Sequence, residues 1–481
     1  MSYNDIPKLH EECGVFGILS TEPRDIIADT YYALFALQHR GQESCGIAIN
    51  DAGVISGYKG AGLVSDVFTE EVLKNLPRGQ MAVAHCRYGT KHNLHRDNAQ
   101  PLIIHHVKGG MAIAHNGSLT NSFELRRELE LEGAIFHTSS DAEVIAYIIT
   151  KERLKTDSIE TAVARAMKKL KGAFSLCIMS PQKLIAVRDP QGFRPLCVGK
   201  IDGGYVVASE SCAFDSIGAT MLCDVLPGEI VVINKDGLKS DLSNKGKKTS
   251  ACIFEFIYFA RPDSVIDGSD VHVARQRAGA FLALDHPVDA DVVIGVPDSG
   301  LDAAIGYSRQ SGLPYGIGFI KNRYIGRTFI SPQQKGRETA VQIKLNPIAS
   351  VVSGERVVLV DDSIVRGTTI AHIVGMLRAA GATEVHARLS APPFKYPCYF
   401  GTDIDSSESL IAYKHSIEEI RKIIDVDSIG YLGVEHLPKL AYRSGCDFCN
   451  ACFTGEYPCE IPTKAQQCRF DNKLRYREGE Y

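Results

Sequence analysis

The chain has 481 residues, with 53 Lys+Arg against 57 Asp+Glu, a formal charge of −4 and 44% hydrophobic residues. That length exceeds one ordinary core, so two or three domains are expected, and the near-balanced charge excludes a disordered chain and a general nucleic-acid binder. No apolar run approaches the ~20 residues that span a bilayer, which excludes a helical membrane protein.

The leader Met1–Glu12 (MSYNDIPKLHEE) has no apolar centre and is not a secretory signal. The expected compartment is cytoplasmic, where the 14 cysteines act as thiols, metal ligands or catalysts rather than disulfides. From Cys13 to about Asn234 short β-like runs dominate: Gly14–Ser20, Gly46–Asn50, Met81–Cys86, Gly110–His115, Phe174–Ser180, Leu184–Asp189, Tyr205–Ser209 and Glu229–Asn234. Helical patterns at Asp25–Leu37, Ser122–Glu132, Asp141–Glu152 and Ile159–Leu170 separate some of them. Many strands with a few clustered helices predict a layered α+β domain.

Four strings in this half carry chemistry. If the Glu12–Cys13 bond is cleaved, Cys13 gains both a thiol and a free α-amine, whose reference pKa of about 7.7–8.0 suits a general base. Without cleavage, a cysteine opening a strand is usually a small buried hydrophobe. Gln38-His39-Arg40-Gly41-Gln42-Glu43 follows a helix. His85-Cys86-Arg87-Tyr88-Gly89-Thr90 ends a strand, placing the Arg87 guanidinium where it can bind a carboxylate with both nitrogens. His115-Asn116-Gly117 ends another and offers the Asn116 amide and the Gly117 N–H as an oxyanion hole. Asp141, opening a helix, either grips a substrate ammonium or merely caps that helix. Cysteines 45, 177, 197, 212 and 223 sit in apolar contexts and are expected in the core.

Lys235–Ser250 is polar, glycine-containing and basic, and is the expected linker. Beyond it strand and helix alternate: Val292–Val296 leads to Pro297-Asp298-Ser299-Gly300 and a helix, Val357–Val360 to a loop and helix, and Glu384–Leu389 follows. That rhythm predicts a parallel sheet with ligand at the carboxyl ends of its strands, so Ser299, Asp361 and Asp362 should share one rim. The basic stretch Lys321–Asn346 reads as a lid, or else as a solvated surface loop. Asp361-Asp362-Ser363-Ile364-Val365-Arg366-Gly367-Thr368-Thr369 then joins a buried strand to a helix N-terminus, where backbone N–H groups and the helix dipole hold phosphate. The paired carboxylates suit a ribose diol or a Mg²⁺ carrying diphosphate. There is no Walker lysine pattern and no glycine-rich dinucleotide turn. Near the C-terminus, Cys446-x₂-Cys449-x₂-Cys452 fits zinc or an iron–sulfur cluster equally well by spacing.

The string Val357–Thr369 resembles the phosphoribosylpyrophosphate (PRPP) loop of type I phosphoribosyltransferases, and the first-half strings resemble class II, N-terminal-nucleophile glutamine amidotransferases. Together with Val292–Ser299 and Lys321–Ile330, the likeness extends end to end to the glutamine PRPP amidotransferases. The resemblance implies a propeptide at 1–12, a glutaminase domain at 13–240 and an α/β phosphoribosyltransferase domain at 251–481. It implies Cys13 as nucleophile positioned by Arg40, Asn116 and Gly117 at the oxyanion, and Arg87, Thr90 and Asp141 on the amino-acid end of glutamine. It places PRPP on Lys321, Tyr324, Arg327, Asp361, Asp362, Ser363, Arg366, Gly367, Thr368 and Thr369, with Mg²⁺ through Ser299, Asp361 and Asp362. A 4Fe–4S cluster on Cys252, Cys398, Cys449 and Cys452 is implied, with Cys446 as a competing ligand and Cys459 and Cys468 as free thiols. The implied reaction turns PRPP, glutamine and water into 5-phosphoribosylamine, glutamate and diphosphate, the first committed step of purine biosynthesis, with purine nucleotides as inhibitors and a homotetramer as assembly. The rivals are a glutaminase serving a different sugar phosphate and a catalytically dead nucleotide-sensing scaffold.

Overall fold

The structure is a computed structural model and describes residues 13–88, 96–322, 345–402, 404 and 406–462. The expected leader 1–12, Thr90, Tyr324, Arg327 and Cys468 lie outside the described residues.

The first half contributes thirteen strands: β1 (Gly14–Ser20), β2 (Ser44–Asp51), β3 (Val54–Ala61), β4 (Met81–Arg87), β5 (Leu102–His106), β6 (Gly109–Asn116), β7 (Ser175–Met179), β8 (Leu184–Arg188), β9 (Cys197–Ile201), β10 (Gly204–Ala208), β11 (Thr220–Asp224), β12 (Ile230–Asn234) and β13 (Gly237–Asp241). They form two antiparallel sheets, ordered β11-β9-β10-β1-β4-β2-β3 and β13-β12-β8-β7-β6-β5. Strand alternation explains the layering. On β1, Val15 and Leu19 join Val83, Ala112, Ala114, Cys177 and Val231 between the sheets, while Phe16 and Ile18 pack outward with Ala33, Leu34 and Leu37 of the helix region Ile26–Leu37. The other sheet's outer face buries Ile113, Leu176 and Ile178 under helices Ser122–Leu131, Asp141–Arg153 and Ile159–Met167. The result is helix, sheet, sheet, helix.

Two short pairings prepare the second half: β14 (Ala251–Cys252), and a hairpin of β15 (Val265–Ile266) with β16 (Ser269–Asp270). A parallel sheet follows, built from β17 (Val292–Gly295), β20 (Arg356–Asp361), β21 (Glu384–Leu389) and β22 (Ser428–Tyr431), in that order. Between β17 and β20 in the chain, β18 (Phe319–Lys321) and β19 (Leu345–Pro347) pair antiparallel. Both faces of the sheet are covered, as parallel sheets require. Val358 and Val360 pack with helices Val271–Asp285 and Leu301–Ser311, and Val357 and Leu359 with helix Thr368–Ala379 through Ile370, Ile373, Val374 and Leu377. β14 pairs parallel with β23 (Phe448–Cys449), setting Cys252 beside Cys449.

Three expectations change. Lys235–Ser250 is not a free linker throughout, because β13 pairs with β12 across a tight turn and closes the edge of the second sheet. Cys223 is exposed rather than in the core, since β11 is an edge strand with a register shift beside it. Asp141 is not the cap of its helix; the Ser140 side chain accepts from Ala142 N and takes that part.

Candidate active site

Cys13 precedes β1, whose pairing with β4 matches Gly14 to Cys86. Cys13 therefore lies level with the end of β4, where Arg87 is buried. Burial pulls the Arg87 guanidinium below its usual range, against the pull of Cys13 and Glu43, which favour its charge. The Cys13 Sγ donates towards the Tyr88 carbonyl at 3.9 Å, and Arg40 Nε donates to the Cys13 carbonyl at 3.1 Å. Arg40 thus stands where a positioning role requires it. It is itself fixed by Glu210 at 2.5 Å and by both oxygens of Glu255, at 2.7 and 3.0 Å.

Asn116 ends β6 in the facing sheet, and His85 Nε2 lies 3.0 Å from the His115 carbonyl, which holds the ends of β4 and β6 together. The Asn116 Nδ2 atom is buried and has no hydrogen-bond partner among the described residues. A buried unmatched donor costs about 1–3 kcal/mol, a cost that an oxyanion would relieve. Gly117 beside it has φ +132, and a Cβ there would lie 2.3 Å from the Ala173 carbonyl oxygen. Only glycine keeps that N–H in place. His85 and His115 are neutral packing groups, burial driving His85 down to about 3 and lowering His115. The Asp141 carboxylate accepts from Leu119 N at 2.8 Å and from the Ser122 hydroxyl. It lies just past Gly117 in space.

In the second half, Ser299 Oγ donates to Asp362 Oδ1 at 2.6 Å, so the carboxyl end of β17 meets the loop after β20. Ser363 Oγ donates to the other Asp362 oxygen at 2.5 Å, and Asp362 N to Asp361 Oδ1 at 2.9 Å. Both aspartates are buried. Burial first, then the Asp362 charge, lifts Asp361 well above the usual carboxylate range; burial also lifts Asp362 despite the Ser299 and Ser363 bonds. Gly367 starts the helix Thr368–Ala379 with φ +84, where a Cβ would press on Ile411 Cδ1 at 2.7 Å. Thr368 and Thr369 are exposed at that N-terminus, and Ser363 and Arg366 are half-buried. Lys321, at the end of β18, pairs with Asp298 next to Ser299.

Cys252, Cys398, Cys449 and Cys452 all line one small, mainly apolar cavity, with Phe193, Arg194, Phe254, Phe394 and Tyr457. Cys446 is not among its lining residues; it sits by Thr249, Arg188 and Asp267. Among the described residues no three cysteine sulfurs lie within 4.8 Å of one another. A single zinc with bonds of about 2.3 Å would draw its sulfurs to about 3.8 Å. Burial raises the Cys449 thiol to about 12 and lifts Cys452 well above its ordinary value.

Sequence reasoning missed the partners of Arg40. Glu210 and Glu255 lie 170 and 215 residues away from it, and nothing local announces them. One signal existed: Glu255 is the lone charge within the apolar run Ile253–Ala260, and such a carboxylate needs a buried cation.

A glutamine amidotransferase domain model matches residues 85–216, and a phosphoribosyl transferase domain model matches residues 277–392. The amidophosphoribosyltransferase of Methanocaldococcus jannaschii is 50% identical over 465 residues, covering 93% of this chain and 98% of the relative. That of Bacillus subtilis is 48% identical over 462 residues, covering 95% and 96%. The solved glutamine PRPP amidotransferase of B. subtilis, complexed with ADP and GMP, superimposes with a TM-score of 0.88 at 48% identity, covering 94% of this chain and 98% of that one. With both domain matches and this likeness along nearly its whole length, the chain belongs to the amidophosphoribosyltransferase family.

Proposed function

We propose that the chain converts PRPP, glutamine and water into 5-phosphoribosylamine, glutamate and diphosphate, opening purine biosynthesis. The observation that carries this reading is the unmatched Asn116 donor beside Gly117, in a chain that also carries the Ser299–Asp362 rim. Removal of Met1–Glu12 gives Cys13 a free α-amine to take the thiol proton. The Cys13 sulfur attacks the glutamine amide carbon, and Asn116 Nδ2 and Gly117 N donate to the oxyanion. Ammonia leaves with the transferred proton, and water cleaves the thioester to glutamate. Arg87 and Thr90 bind the glutamine carboxylate end and Asp141 its ammonium. In the other half, ammonia attacks the anomeric carbon and diphosphate departs. The Gly367–Thr369 helix start binds the 5-phosphate end, and Lys321, Tyr324 and Arg327 cover the diphosphate, keeping water out.

Ser299, Asp361 and Asp362 form a hard oxygen set whose two carboxylates are both burdened by burial, Asp361 also by the Asp362 charge, the setting a divalent cation relieves. Mg²⁺ bound there supplies neutralisation of the departing diphosphate. The four cysteines around one cavity support a 4Fe–4S group of structural or regulatory character. Replacing Cys398 by Ser should cost bound iron and the visible absorbance near 400 nm, and lower the melting temperature; full iron content in that variant would remove Cys398 from the ligand set. Purine nucleotides as inhibitors are supported by the ADP and GMP in the solved relative, and a homo-oligomer by the overall likeness to the family.

The test of the reaction is to supply glutamine and PRPP and follow glutamate and diphosphate, expected in equal amounts. Glutamate without diphosphate, or turnover with a different sugar phosphate, would favour the rival glutaminase. Asn116→Ala should lower the glutamine-dependent kcat by about 10²–10³-fold with a small change in KM, read from initial rates at saturating PRPP.

A further inference from the structure

The strand end that carries Cys13 is fixed by a side chain from the other half of the molecule. After β14 the chain makes a single π-helical turn, Glu255–Phe259. Its carbonyls at Phe256, Tyr258 and Ala260 accept from Arg275 of the helix Val271–Asp285, at 3.0, 2.8 and 2.7 Å. That clamp presents Glu255 inward. Its oxygens take Arg40 Nη2 and Nη1 at 2.7 and 3.0 Å, and Arg194 Nη1 lies 3.6 Å away. Arg40 Nη1 also meets Glu210, and Arg40 Nε meets the Cys13 carbonyl. The Arg40, Arg194 and Glu210 side chains are fully buried and Glu255 is 2% exposed. Arg40 and Arg194 thus face Glu210 and Glu255 in a buried cluster.

We propose that Glu255 is a positioning residue for the Cys13 nucleophile, contributed by the phosphoribosyltransferase half and acting through Arg40. A guanidinium is a planar fork, so two carboxylates gripping its terminal nitrogens fix the direction of the third donor, Nε. That donor holds the carbonyl of the residue whose thiol and amine do the chemistry. Loss of one grip frees the plane to tilt, and a displacement of about 1 Å at a nucleophile costs up to about 10²-fold. This inference rests on Cys13 being the glutaminase nucleophile.

Charge supplies a second readout. Cys13 faces Arg40, Arg87 and Cys86; Glu255 faces Arg40 and Arg194; Glu210 faces His39, Arg40, Arg261 and Cys212. Glu255→Gln leaves one uncompensated positive charge beside Cys13. A positive field favours thiolate over thiol and amine over ammonium, so both groups lose their protons at lower pH.

The experiment uses full-length second halves joined to chains that begin at Cys13, and a glutamine-shaped chloromethyl ketone counted as one adduct by intact mass. Absence of the adduct in Cys13→Ala checks the underlying reading of the nucleophile separately. In Glu255→Gln the rate of adduct formation should fall about tenfold or more, and the acid limb of its pH profile should move to lower pH. Glu255→Asp keeps the charge but shortens the reach, so its rate should lie between the two while its acid limb stays at the wild-type pH. A Gln variant with wild-type rate and profile overturns the proposal. If the Gln variant does not accumulate as folded protein, the Asp variant decides: a reduced rate with an unmoved profile supports the proposal, and a wild-type rate overturns it.

Discussion

Cys13→Ala should lose glutamine-dependent synthesis by about 10⁴-fold or more, while synthesis from ammonia persists. Cys13 stands just before β1 in the first half, where it meets Tyr88 and Arg40 of that half. The Ser299–Asp362 rim and the Gly367 helix start belong to the parallel sheet of the second. Removing the sulfur therefore leaves the sugar site intact, and a high concentration of ammonium salt at a pH that frees ammonia should bypass the defect. Diphosphate release measured with each nitrogen source checks this. Equal loss with both sources would mean that the two sites are not separable in this way. The same variant in a dead scaffold would change nothing.

Asp361→Asn and Asp362→Asn should each lower kcat/KM for PRPP by about 10²–10³-fold, because they withdraw charge from the place where diphosphate and its cation gather. The unliganded protein should gain stability from the same substitutions. The sign follows from the direction of the shifts. Each carboxyl is lifted above its ordinary value of 3.8 by burial, and Asp361 further by its neighbour's charge. A lifted acid favours the folded state only in its protonated form, so stability falls as pH rises from the ordinary value through the lifted one. At neutral pH the pair is a burden that an amide does not impose. A melting curve at pH 7 should move up in Asp361→Asn and the difference should shrink towards pH 4. By the same linkage, PRPP with its cation should bind more tightly as pH rises through the lifted range and release protons on binding. A lower melting temperature at pH 7 would contradict this account of the rim.

Local patterns carried most of the architecture. β1 follows the predicted Gly14–Ser20 boundaries, and the strand–helix alternation beyond residue 250 becomes a parallel sheet as expected, with β22 added to the three strands the sequence predicts. The strands that escaped include β5, β9 and β22, as well as β3, with two glycines and a lysine in VISGYKGA, and the edge strand β11, where one side faces solvent and the apolar signal is weak. β13 escaped because its Asp236-Gly237 turn lay inside a basic, polar stretch that read as a linker, although Asp-Gly after an apolar run is a hairpin signal. The candidate site residues Arg87, Asn116 and Asp361 stand at strand ends, as the sequence predicts, because each is a polar residue that closes an apolar run. The Arg40–Glu210–Glu255 cluster was not, since long-range pairing of charges leaves no periodic trace. The cysteine set illustrates the difference between the two kinds of information. Spacing alone left zinc and iron–sulfur level, whereas the fold brings Cys252 to Cys449 through the β14–β23 pairing and leaves Cys446 aside.

The central claim is that nitrogen freed at Cys13 ends on the ribose held at the second sheet. Glutamine labelled with ¹⁵N at its amide, supplied with PRPP to the purified protein, tests it most directly. The account predicts the label in 5-phosphoribosylamine, with glutamate and diphosphate formed in equal amounts by a chain whose mass shows that it begins at Cys13. Labelled ammonia accumulating while PRPP stays intact, or full turnover by a chain that still begins at Met1, would contradict it.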